Sequence, residues 1–237
     1  MPMVIAEGKT IFFAHVPKTG GSSVEDYLVR RFGPLTIRDR HKAQKRPGTG
    51  LITPSTHFAA LDLVEFLPPN LDFSFAVVRD PMDRLLSEYR YQQGASISSR
   101  MSFSTWLRLM LKASAIEPRL FENHTRPQTD LVPEGAEIFR LEDGFDGMIG
   151  RLDAVTGTTA PDIQVGHILK RERKPMTLYR QDIEAVERFY AADYERFGYE
   201  RRDTSDLPND TFAFAREAFA AVAAPLLVAR QKRKWVL

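Results

Sequence analysis

A chain of 237 residues, 43% of them hydrophobic and 27% charged, is enough for one α/β domain with a sizeable core. Its formal net charge of +2 excludes a general attraction to nucleic acid, so an anion site must come from local arrangement. The absence of cysteine excludes a disulfide scaffold, a cysteine-ligated metal and a thiol nucleophile, and is compatible with a reducing cytosol.

The first nine residues carry Glu7 and no long apolar run, unlike a signal peptide. The longest apolar segment, Ala218 to Ala229, is shorter than the roughly 18–20 residues of a membrane span and contains Pro225. The expectation is a cytoplasmic protein with no membrane span.

Thr10 to Val16 (TIFFAHV) has the length and β-former content of a buried strand, broken by Pro17-Lys18-Thr19-Gly20-Gly21. From Ser22 the pattern turns helical, with Val24, Tyr27, Leu28 and Phe32 at spacings of three and four. Ser22 or Ser23 is the expected cap, and Gly33-Pro34 the stop. Arg38 to Gly50 reads as a long basic loop. A short helix from about Ala59 to Phe66 follows Ser55-Thr56-His57. Phe73 to Val78 (FSFAVV) is a second buried strand, ended by Arg79-Asp80-Pro81, with Pro81 opening a helix to about Gln93. Helices are expected over Phe103 to Lys112, Phe145 to Val155, Leu178 to Phe197 and Asp210 to Lys232, with Pro225 a candidate kink in the last, and a third strand over Ala136 to Leu141.

Strands alternating with helices predict an α/β fold. The expected form is P-loop-like, three-layer α/β/α, with a central, mainly parallel sheet. The whole chain, 1–237, reads as one domain whose residues 200–237 form a helical extension. Ligands of such sheets bind at the carboxyl ends of strands, where the Lys18 and Arg79 turns both belong.

A glycine-bearing turn ahead of a helix gathers backbone N–H groups, and the helix dipole adds a positive field. Lys18, Thr19, Ser22 and Ser23 add a cation and hydroxyls, suiting a phosphate or a sulfonate. Lysine precedes the glycines here, whereas the Walker A pattern places it after them. No clear acidic magnesium ligand follows a strand; Asp80 looks structural. Both features argue against the alternative, a P-loop-type kinase or other phosphoryl-transfer enzyme. Taken alone, the turn also fits a tight βα connection with a solvated lysine. The second constellation is Arg79 with Arg84 and Ser87, where guanidinium and hydroxyl can grip a phosphate monoester. By itself it also fits an arginine paired with Asp80 or Asp83 at a helix start.

Together, PKTGGSS (Pro17 to Ser23) and VVRDPMDRLLSEY (Val77 to Tyr89) resemble the two binding motifs for 3′-phosphoadenosine-5′-phosphosulfate (PAPS) in the sulfotransferase superfamily. The wording is nearest the branch of Golgi carbohydrate and heparan-sulfate 2-O-type enzymes and their bacterial relatives. Thr125 to Thr129 (TRPQT), Phe139 to Glu142 and Asp193 to Tyr199 look similar as well, so the resemblance spans about residues 9 to 199. It implies sulfuryl transfer from PAPS to an acceptor hydroxyl on a carbohydrate, leaving adenosine 3′,5′-bisphosphate (PAP), with no metal and no nucleic-acid partner. Pro17, Lys18, Thr19, Gly20, Gly21, Ser22 and Ser23 would hold the 5′-phosphosulfate, and Arg79 and Ser87 the 3′-phosphate. A basic segment over the cofactor would be Lys170 to Lys174, with Arg173 and Lys174 as contacts; a solvated basic loop is the other reading of it.

Lys18 is placed to stabilise the leaving oxygen, and a base is needed for the acceptor. Of five histidines, His15, His41, His57, His124 and His167, His57 lies just ahead of the second motif and is followed by Leu61-Asp62. This resembles the setting of the catalytic histidine in the 2-O-sulfotransferases. His15 is read as a packing residue, and a carboxylate as the runner-up base, although Glu25 and Asp26 lie too close to the Lys18 turn to suit that role. A non-catalytic binding module, docking through the apolar last helix and its basic tail, is the remaining competitor.

Overall fold

The computed structural model describes residues 1–36, 57–63, 67–68, 70–93, 101–166 and 176–236. The basic loop at 38–50, residues 64–66 of the expected short helix, His41, His167 and the segment 170–174 with Arg173 and Lys174 lie outside them. The chain divides into two compact units. One comprises Met1–Arg79 and Gln128–Lys170, the other Asp80–Pro127 and Arg171–Leu237.

The first unit is built on a four-stranded sheet flanked by helices, in the order β1 (Met3–Ala6), β2 (Lys9–Ala14), β3 (Phe73–Val78), β4 (Glu137–Arg140). β2, β3 and β4 are parallel, in the register Phe13↔Phe75 and Val77↔Phe139. β1 was not legible as a strand. It pairs antiparallel with β2 across a two-residue turn in which Glu7 (φ 49°) and Gly8 (φ 72°) are both left-handed, as the hairpin twist demands.

Ile11, Phe13, Phe75 and Val77 fill one sheet face. They pack against Val24, Tyr27 and Leu28 of α1 (Gly21–Phe32) and Met148 and Leu152 of α5 (Asp146–Thr156). Phe12, Ala14, Ala76 and Val78 on the other face are fully buried too. Both faces being covered explains why β2 and β3 read as continuous apolar runs rather than alternating ones. Arg31 fastens α1 to α5 through Asp153 at 2.6 Å. A four-residue helix, α2 (Ala60–Leu63), precedes β3.

The second unit is helical. α4 (Phe103–Ile116) is capped by Ser102, whose side chain accepts from the Thr105 N–H at 3.3 Å. It runs a turn past the expected end, because Leu111 and Ala113 are core residues. Around its apolar surface pack α3 (Pro81–Gln93), α6 (Arg180–Phe189) and α8 (Ala213–Val236). The helix expected over Leu178 to Phe197 is broken at Tyr190, where α7 (Ala191–Phe197) begins. Tyr190 is wholly buried, and its hydroxyl donates to the Thr125 carbonyl at 2.5 Å. Docking that side chain bends the backbone away from a pattern that was helical throughout. α8 carries Pro225 within it. Among the described residues no helix is long and apolar enough to cross a membrane.

Candidate active site

The site of the first unit starts where β2 ends. Pro17 to Gly20 turn the chain into α1, and Gly20 (φ 84°) is the helix N-cap, so the cap is neither Ser22 nor Ser23. A left-handed residue is needed to reverse direction within so short a loop, and glycine takes that backbone without strain. Lys18 is itself left-handed at φ 70°, a conformation unusual for a residue with a side chain. The Thr19 hydroxyl donates to the Val16 carbonyl at 2.9 Å and is wholly buried, so in this structure it holds the loop together. Gly20 accepts from the N–H groups of Ser23 and Val24. Ahead of them, the opening N–H groups of α1 head the helix, and no acidic residue in its first turn offsets the dipole. Ser22 is exposed there, and Ser23 is buried.

What lies behind the loop was not foreseen. His15 continues the inward parity of Ile11 and Phe13, and its Nδ1 lies 2.6 Å from Glu25 Oε1. Both side chains are more than nine-tenths buried. Nδ1 and the carboxylate share a hydrogen bond, and Nε2 faces the loop. A Cβ built on Gly21 would lie 2.1 Å from that Nε2, and one on Gly20 would lie 3.1 Å from Leu141 and Phe145. Both glycines thus let the turn sit tight on its support. His15 is stacked on Phe13, with centroids 5.6 Å apart. It is therefore a structural polar residue, not simply a packing one. Glu25, already unattractive as a base, is engaged by it.

His57 stands edge-on to His15, with ring centroids 5.1 Å apart. The segment is anchored by buried Phe58, Ala59 and Leu63, and its turn is closed by the Ala59 N–H donating to Asp62 at 2.9 Å. This arrangement brings the half-exposed His57 ring beside the histidine that supports the turn after β2.

Arg79 ends β3, next to β2, so both turns share one edge of the sheet. Its Nη1 is 3.4 Å from the Lys18 carbonyl, a long hydrogen bond. Gln128, wholly buried in a 3-10 turn, clasps the Arg79 backbone both ways. The Arg79 N–H donates to its Oε1 at 3.0 Å, and its Nε2 donates to the Arg79 carbonyl at 2.8 Å. Sequence reasoning placed Gln128 in the TRPQT segment without a role.

In the second unit, Asp80 is structural. It accepts from the Asp83 N–H at 2.8 Å, and Arg202 bridges Asp80 at 2.6 Å and Asp83 at 3.0 Å. Arg84 is fully buried, donating to the carbonyls of His124 and Arg126 at 3.1 and 2.5 Å. It is a scaffold for the 124–126 turn, whereas Ser87 is half-buried on α3. His124 holds Glu88 at 2.8 Å.

The arrangement in the first unit is a cation, a run of backbone donors, a second cation and a histidine at one sheet edge, the equipment for transfer of a highly charged group. A family model described as "Sulfotransferase family" matches residues 1–200. No curated protein and no solved structure matches the chain significantly.

Proposed function

Because the chain belongs to the sulfotransferase family, we propose that it transfers a sulfuryl group from PAPS to an acceptor hydroxyl, with Lys18, Arg79 and His57 as its principal groups. The observation that carries this reading is the meeting of the two turns, Arg79 Nη1 lying 3.4 Å from the Lys18 carbonyl. Two positive centres on one rim suit a nucleotide anionic at both ends. The fit is supported by the turn itself: glycines packed tight against His15, Leu141 and Phe145 let donor N–H groups converge, and no carboxylate in the first turn of α1 would repel an anion.

When bound, PAPS supplies a sulfuryl group joined to a phosphate that leaves readily. The chain's residues do the rest. The α1 N-terminus and Lys18 bind the 5′-phosphosulfate and neutralise the charge that grows on the bridging oxygen as its bond to sulfur breaks. Arg79, its backbone fixed by Gln128, binds the 3′-phosphate. Ser87, Arg173 and Lys174 are assigned to the nucleotide by the motif resemblance alone. The imidazole of His57 takes the proton of the acceptor hydroxyl as the new oxygen–sulfur bond forms. The branch resemblance favours a carbohydrate hydroxyl.

A thermal-shift comparison of PAP, PAPS and ATP with magnesium tests the reading. PAP and PAPS are expected to stabilise the protein without metal, and a preference for ATP with magnesium would support the phosphoryl-transfer alternative instead. His57→Ala should lower turnover by roughly 10²–10⁴-fold while PAP affinity stays nearly intact; unchanged turnover removes His57 from the role.

A further inference from the structure

α8 has two apolar faces, and only one is used. Ala224, Leu227 and Val228 dock on the core around α4, and Lys232 reaches Glu117 beyond the α4 C-terminus at 3.1 Å. The opposite face carries Ala215, Phe219, Val222, Leu226 and Ala229, all exposed, Val222 at 71% and Leu226 at 68%. Their spacing alternates four and three, and the series continues to exposed Phe212 before the helix and to Arg233 near its end. This is the period of a helix that pairs with another helix. The helix lies beyond the residues matched by the family model.

Charge identifies the occupant. The C-terminal end of the exposed face carries Arg230 and Arg233, whereas the chain leading into α8 carries exposed Asp203 and Asp206. A parallel pair would bring the arginines of both copies together. An antiparallel pair puts the arginines of one copy at the same end as the acidic approach of the other. An anionic bilayer would attract one end of the helix and repel the other.

We propose that the exposed face of α8 is the seam of a homodimer in which two copies of this chain pair α8 antiparallel about a two-fold axis at Val222. Val222 then meets Val222 of the second copy, Phe219 meets Leu226, and the small Ala215 and Ala229 face each other at either end. Such a contact repeats one patch on both copies, as a closed two-fold dimer requires. One helix pair lies at the small end of stable interfaces, near about 1,000 Å², so monomer and dimer are expected to exchange at micromolar concentrations.

Sedimentation equilibrium of the full chain is expected to show a concentration-dependent monomer–dimer distribution. Val222→Asp should weaken it by more than about tenfold, with turnover and secondary structure unchanged. Because the native chain has no cysteine, single substitutions report orientation. Under mild oxidation Val222→Cys should cross-link to itself and Ala215→Cys should not. Mixing Ala215→Cys with Ala229→Cys should give the mixed dimer. A monomer at every concentration, a dimer indifferent to Val222→Asp, or self-cross-linking of Ala215→Cys would each overturn the proposal. So would a monomer that floats with phosphatidylserine vesicles and stops doing so on Val222→Asp, which would make the face a lipid-binding one.

Discussion

Gly21→Ala is the substitution for which the turn between β2 and α1 makes its sharpest demand. The added methyl would lie 2.1 Å from His15 Nε2 and 2.2 Å from Cδ2. Ordinary contact begins at 3.4 Å, so something must move by about 1.3 Å. His15 is poorly placed to yield. Its Nδ1 is held by Glu25 at 2.6 Å, one face is stacked on Phe13, and His57 stands against it. The backbone of the turn is then the part that shifts. Overpacking of this kind costs about 1–3 kcal/mol, and a misplacement near 1 Å costs turnover about 10²-fold. Isothermal calorimetry with PAP, a thermal melt and steady-state turnover should therefore show weakened PAP affinity, a melting point lower by a few degrees and a large fall in rate. Adding His15→Ala makes room for the methyl, so the double variant should bind PAP better than Gly21→Ala alone, a non-additive outcome. Wild-type PAP affinity and turnover in Gly21→Ala would refute the claim that His15 backs the loop.

Gln128→Leu should leave the Arg79 N–H and carbonyl without their clasp, at about 1–3 kcal/mol for each buried group so exposed. Calorimetry should find PAP binding weakened while adenosine 5′-phosphate binding is unchanged, as the proposed assignment of the 3′-phosphate to Arg79 requires. Lys18→Ala should lower both PAPS affinity and turnover, measured by initial rates over a PAPS titration. The Glu117 carboxyl is held down to about 2 by the Arg119 guanidinium, with Lys232 and the Arg119 N–H adding to it against the opposing effect of burial. Its folded value lies below the ordinary 4.5, so the stability it contributes is complete above that pH and is lost as pH falls toward about 2. Melting temperature followed across that acid range should decline, and less steeply in Glu117→Gln.

The parallel strands and the two site turns were legible because their signals are local. TIFFAHV and FSFAVV are apolar on both sheet faces, and Pro17, Gly20, Gly21 and Pro81 punctuate their ends. Placing Lys18 and Arg79 on one rim needed only that two adjacent parallel strands end together. β1 was hidden by its four-residue length, and its hairpin turn uses Glu7 where Asn or Asp would have announced it. The break at Tyr190 follows from a distant carbonyl, that of Thr125, which no periodicity reveals. The support beneath the turn joins His15 to Glu25 across a strand end and the second turn of a helix. The available sign was a histidine in register with Ile11 and Phe13, on the face that α1 covers. Gln128 was marked only as part of TRPQT and its role was hidden, since its partners are the backbone atoms of a residue 49 positions away.

The two stretches of sequence that make up the first unit also constrain the order in which it can be assembled. β3 ends at Val78 and its neighbour β4 does not begin until Glu137. During synthesis β3 therefore waits with one hydrogen-bonding edge bare while all of α3 and α4 emerge from the ribosome. Closing parallel pairs over such spans is slow, and the bare edge invites pairing with other chains. Production of this protein should accordingly respond more to slower translation and chaperone supply than to substitutions that stabilise the finished fold.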